Sequence, residues 1–126
     1  MHNALSWAPL VARVLIGALF LQSGILKVLN FADMVAIAQS VGVPMATTAI
    51  VLAIVIEILG GLSVLLGWNI KWGALALGVF TLVATYYFHF NFADQMQTIL
   101  FTKNMGLVAA LLYMAHFGAG KFSVGK

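Results

Sequence analysis

The residues able to do chemistry here are few, because Lys, Arg, Asp and Glu together make up only 7% of the 126 positions. Four stand out: Arg13, Lys27, Glu57 and His89, each inside or at the edge of an apolar run. Glu57 is the most demanding, since it lies in the middle of Met45 to Gly67, a run with no other charge. A charged residue at the centre of a membrane helix costs roughly 2.5 to 3.5 kcal/mol on insertion scales, so this carboxyl must be protonated, paired or turned to a polar interior. Such a group can carry a proton, bind a polar solute, or simply fix the register of two helices through an ion pair.

These residues need helices to position them, and composition says that lipid surrounds those helices. Hydrophobic residues make up 63% of the chain, more apolar surface than a soluble domain of this size can hide. Four stretches reach the roughly 20 residues that a 30 Å hydrocarbon layer requires: about Pro9 to Asn30, Met45 to Gly67, Ile70 to Phe92, and about Lys103 to Ala119. The reading is a single all-α domain over residues 1–126, a four-helix transmembrane bundle. Phe31 to Pro44 and Ala93 to Thr102 read as links, and Trp68-Asn69 as a tight turn that makes the second and third helices a hairpin. Met1 to Ala8 has no basic cluster and no small-residue cleavage site, so the first helix reads as a retained anchor and not a cleaved signal peptide.

Four crossings put both ends on one side. Arg13, Lys71, Lys121 and Lys126 lie towards that side and Lys27 and Lys103 towards the other, which by the positive-inside rule makes both termini cytoplasmic in a bacterial inner membrane. Trp7, Trp68 and Trp72 fall at the same interface, where indoles prefer to sit. The six basic residues are scattered singly, which excludes a nucleic-acid stripe, and no basic cluster for polyphosphoinositides is legible. With no cysteine, disulfides, thiolate metal sites and a dithiol relay within this chain are excluded.

Helical spacing decides which polar groups can meet. Arg13, Gly17, Phe20, Gly24 and Lys27 share one stripe of the first helix; Ile50, Ala53, Glu57, Gly60, Gly61 and Val64 share a face of the second; Gly78, Leu82, Thr85, Tyr86 and His89 align on the third. The glycines allow close helix approach. At about 1.5 Å rise per residue, Glu57 is near the midplane, with Arg13 and Lys27 on the order of 10 Å to either side of it. Arg13 is the expected partner of Glu57, through Gln22 or water if not directly, because a guanidinium stays charged and reaches inward. Lys27 and His89 share a depth near Asp33 and Asp94, a second polar cluster at the outer mouth.

Plainer roles compete with chemistry at most of these positions. The Arg13–Glu57 pair can be a registration device only. His89 reads as a hydrogen-bonded interfacial histidine, and His2, His89 and His116 lack metal-ligand spacing, so no bound metal is expected. Tyr86 and Tyr87 read as packing and interface residues, and Asn104, just after Lys103, as a helix cap or interfacial anchor.

The string Ala12-Arg13-Val14 through Gly24-Ile25-Leu26-Lys27, then Pro44, Glu57-Ile58-Leu59-Gly60-Gly61 and Gly67, Phe88-His89-Phe90, Lys103-Asn104 and Gly118-Ala119-Gly120-Lys121-Phe122-Ser123 together resemble the DoxX family of small four-helix bacterial membrane proteins. The similarity covers nearly the whole chain; a tryptophan expected after the third-helix histidine is replaced by Phe90-Asn91-Phe92. The resemblance implies association with quinone-linked oxidation of sulfur compounds or with membrane oxidoreductase complexes that handle oxidative or thiol stress, and Arg13, Lys27, Glu57 and His89 as the recurrent polar positions.

Two functions follow as expectations. One is an accessory or quinone-interacting subunit with no intrinsic cofactor, in which Glu57 or His89 handles a proton, Arg13 or Lys27 steadies a carbonyl oxygen, and Tyr86, Thr85 and Asn104 are secondary candidates. A soluble or membrane oxidoreductase partner would then supply electrons. The other is a solute or proton carrier or a scaffolding module, with a homo-oligomer completing it.

Overall fold

The computed structural model describes residues 5–125, and Met1 to Ala4 and Lys126, which entered the anchor and topology readings, lie outside the described residues. Five helices follow in order: α1 (Ala8–Leu29), α2 (Phe31–Ser40), α3 (Ala46–Leu66), α4 (Ile70–Phe88) and α5 (Gln95–Phe117). All but α2 are long and apolar enough to cross a membrane. The spanning bundle expected from the sequence is therefore present, and the start of α1 and the segment after α5 lie at one end of it. We call that the tail end and the opposite end the α2 end.

Two links differ from expectation. Phe31 to Pro44 is mostly helical: α2 has 10 residues, about 15 Å of rise, too short to span. It lies across the α2 end and buries Ala38 against Ala46 and Ile50 of α3, backed by Met34, Val43 and Phe88. The last helix begins at Gln95 and not near Lys103, because Asp94 caps it, its carboxylate accepting from the Met96 amide at 3.0 Å. Thr98 and Thr102 hydroxyls bond back to carbonyls one turn earlier, which lets this polar first part stay helical. The third spanning helix accordingly stops at Phe88, with His89 as its C-cap.

α3 is the centre of the bundle, packed between α1 and α4 and carrying α2 at its start, while α5 lies mainly on α4. The α1 stripe is buried at Arg13, Gly17, Phe20 and Gly24, and the α3 face at Ile50, Ala53, Glu57, Gly60, Gly61 and Val64, as the spacing required. On α4 the inward face is Leu77, Gly78, Thr81 and Thr85, whereas Leu82 and Tyr86 point outward, so the expected third face is rotated by about one residue. The main core joins Phe20, Val64, Ala74, Leu77, Leu111 and Met114 in the tail half. A second core holds the α2 end, and Glu57 lies between the two.

After α5 the chain folds back under the tail end. Val124 donates its amide to the Leu66 carbonyl at 2.9 Å, Gly125 bridges Trp68, and Ala119 is buried. Gly67, at φ 73°, ends α3 here, and a Cβ on it would lie 2.7 Å from the Ser123 side chain.

Candidate functional site

Gly24 of α1 faces Glu57 of α3 so closely that a Cβ on the glycine would stand 3.3 Å from the Glu57 Cβ. Lys27 follows one turn later on the same stripe, and its flexible stem folds back to place Nζ 2.7 Å from Glu57 Oε1. The ammonium donates to Ser23 Oγ at 2.8 Å and stands 6.0 Å from the centroid of the Phe80 ring. Glu57 is 2% exposed and the Lys27 side chain 18%. Lys27 is the one partner of Glu57 Oε1 among the described residues, through this close ion pair.

This pair corrects the expected Arg13–Glu57 partnership. Arg13 is buried about three turns from the level of Glu57 along α1, and its guanidinium turns to the tail, donating to the Phe122 carbonyl and, at 3.4 Å, to the Leu65 carbonyl. Gln22, offered as a bridge, is exposed. The expected outer cluster also divides: Lys27 turns inward, Asp94 caps α5, and Asp33 is exposed in the first turn of α2.

Beside the ion pair is a cavity of about 920 Å³ with contributions from all five helices. Its walls are mostly apolar, with Ser23, Lys27, Glu57, Thr81, Tyr87, His89 and Asn104 supplying the polar points. The lining includes Leu52 of α3 and Val79 and Val83 of α4, all of them exposed, so the cavity runs out between these helices to the surface that lipid covers. His89 Nδ1 is 2.9 Å from Gln97 Oε1, which orients the ring at the cavity edge. Asn104 is neither cap nor interfacial anchor: it is mid-helix in α5 and donates from Nδ2 to Thr85 Oγ1 at 3.0 Å, tying α5 to α4.

Of the sequence candidates, the fold thus brings Lys27, Glu57, His89 and Asn104 to one cavity, with Thr85 behind Asn104. It leaves out Arg13 and Tyr86, the latter 61% exposed and stacked edgewise on Tyr87. Sequence reasoning missed Ser23 and Gln97. Ser23 was legible one turn before Lys27 on the same stripe, but nothing in the sequence paired Gln97 with His89 across a chain reversal.

The family model for DoxX matches residues 8–90, from the start of α1 to just beyond the C-cap of α4. This chain belongs to the DoxX family. The matched part of this DoxX chain contains Arg13, Lys27, Glu57 and His89, while Asn104 and the returning tail lie beyond it. The inner membrane protein YqjF of Escherichia coli strain K12 is 33% identical over 117 residues, covering 93% of this chain and 88% of that one. No solved structure matches. With four spanning helices and an inner-membrane relative, the DoxX chain is a multi-pass protein of the inner membrane.

Proposed function

We propose that this protein binds a lipid-soluble quinone in the cavity beside the Lys27–Glu57 pair and serves as an accessory subunit to a membrane oxidoreductase. The observation that carries the reading is the cavity itself: apolar walls open to the bilayer, ending at the Lys27–Glu57 ion pair. A flat ring with carbonyl oxygens and an apolar tail matches that combination, and the volume is of the size that holds such a ring.

The chain's own residues would act by position. Lys27, already shared between Ser23 and Glu57, can turn one proton towards a carbonyl oxygen placed beside it, and the Asn104 amide can donate a second hydrogen bond. Glu57 Oε1 can hold a proton at the inner end, and His89 can pass one at the cavity edge. A bound quinone would supply two-electron acceptance. The electrons would come from a partner protein, since the chain has no cysteine for a dithiol relay.

The test is thermal unfolding of the detergent-purified protein with short-chain ubiquinone and menaquinone analogues, in wild type and Glu57→Gln. An upward shift of several degrees that the variant loses supports the reading. The absence of a shift with either analogue removes it.

A further inference from the structure

The chain has three acidic side chains, Asp33, Glu57 and Asp94, and none of them is at the tail end of the bundle. The basic side chains there therefore have no carboxylate side chain to pair with. Arg13 is bound to the Leu65 and Phe122 carbonyls, but Lys71 and Lys121 make no hydrogen bond or ion pair among the described residues. Their ammonium groups rest only over the rings of Trp72 and Phe122, at 5.1 and 5.6 Å from the centroids.

Both lysines line one pocket of about 310 Å³ between the first turn of α4 and the loop after α5, together with His116 and the backbone of Gly118, Ala119 and Gly120. The start of α4 and the end of α5 both border it, so their opposite helix dipoles offset each other and the two lysines carry its positive charge. Around this end stand Trp72, Phe117 and Phe122, all exposed, as aromatic residues stand at the level of lipid headgroups. Scattered in the sequence, these basic residues gave no cluster; the fold assembles one from α4 and the returning tail.

We propose that this pocket binds the phosphate of an anionic phospholipid, held between Lys71 and Lys121, with the headgroup against the Gly118 to Gly120 backbone and the acyl chains along the neighbouring aromatic side chains. Lipid is the assigned source of the phosphate because the pocket is formed at the ends of two spanning helices, α4 and α5, where Lys71 and the tail residue Lys121 make a basic site flanked by exposed aromatic side chains. The site is separate from the Glu57 cavity and independent of the quinone reading.

The experiment is native mass spectrometry of the full chain released from nanodiscs of phosphatidylcholine containing a minor fraction of phosphatidylglycerol, in wild type, Lys71→Gln/Lys121→Gln and Lys103→Gln. Both tail-end lysines and Lys103 are exposed, so none of the variants disturbs packing. Wild type and Lys103→Gln should retain phosphatidylglycerol over phosphatidylcholine, and the double variant should lose about tenfold or more of that preference. An equal preference in the double variant overturns the proposal, and so does an equal loss in Lys103→Gln, which would mean diffuse attraction to any lysine. Inorganic phosphate at millimolar concentration should leave lipid retention unchanged; displacement of the lipid by phosphate would make the site one for free phosphate and overturn the lipid assignment.

Discussion

Lys27→Ala leaves the Glu57 carboxylate buried with no cation beside it, and buried pairs broken on one side cost about 3 to 5 kcal/mol. We expect chemical unfolding in detergent to show a loss towards the lower end of that range, because Lys27 keeps some exposure. Lys27→Met combined with Glu57→Leu should recover most of it, and the resulting coupling is what a double-mutant cycle measures. Recovery by Arg13→Ala in place of Lys27→Met would contradict the geometry described here. The sequence identified the polar residues and their stripes but assigned the wrong cation to Glu57. Two features explain this: a lysine stem folds back by a full turn, which a depth drawn at Cα does not register, and Arg13 is held by the Phe122 carbonyl of a tail that no helical periodicity predicts.

Between elements, the α1–α3 contact is the most extensive, and it rests on small residues. A Cβ at Gly17 would lie 2.8 Å from the Leu65 Cβ and 2.9 Å from the Gly61 carbonyl, so Gly17→Ala should lower stability by about 1 to 3 kcal/mol as the helices are forced apart. Gly106→Ala, in the interior of α5 where a Cβ meets nothing within 4 Å, is the control and should raise stability by about 0.5 to 1 kcal/mol in a parallel thermal scan. Asn104→Leu removes one hydrogen bond between α4 and α5 and should cost about 0.6 kcal/mol, the usual worth of such bonds in lipid. At this scale the spanning helices were legible from apolar length, but α2 was not, since ten residues with one buried alanine carry too little periodicity to tell a helix from a loop. The start of α5 was missed because apolar length marks where lipid begins, whereas a helix begins where a cap such as Asp94 satisfies its amides.

Across the whole molecule, Arg13 ties the first helix to the returning tail, so the segment after α5 is held against α1 and α3. Arg13→Ala should free that tail and raise the rate of tryptic cleavage after Lys121 by about tenfold, with the spanning helices retained by circular dichroism. Arg13→Lys should do nearly the same, because one ammonium cannot span the Leu65 and Phe122 carbonyls as a planar fork does. The position of Glu57 near the middle of α3 has an electrical meaning as well. The Lys27 ammonium stands 2.7 Å from the carboxylate, so the two opposite charges sit at nearly one depth and almost cancel in the membrane field, whereas a single charge carried right across would feel about 2.3 kcal/mol for each 100 mV. Lys27→Met removes that cancellation and leaves whatever charge Glu57 carries alone in the field.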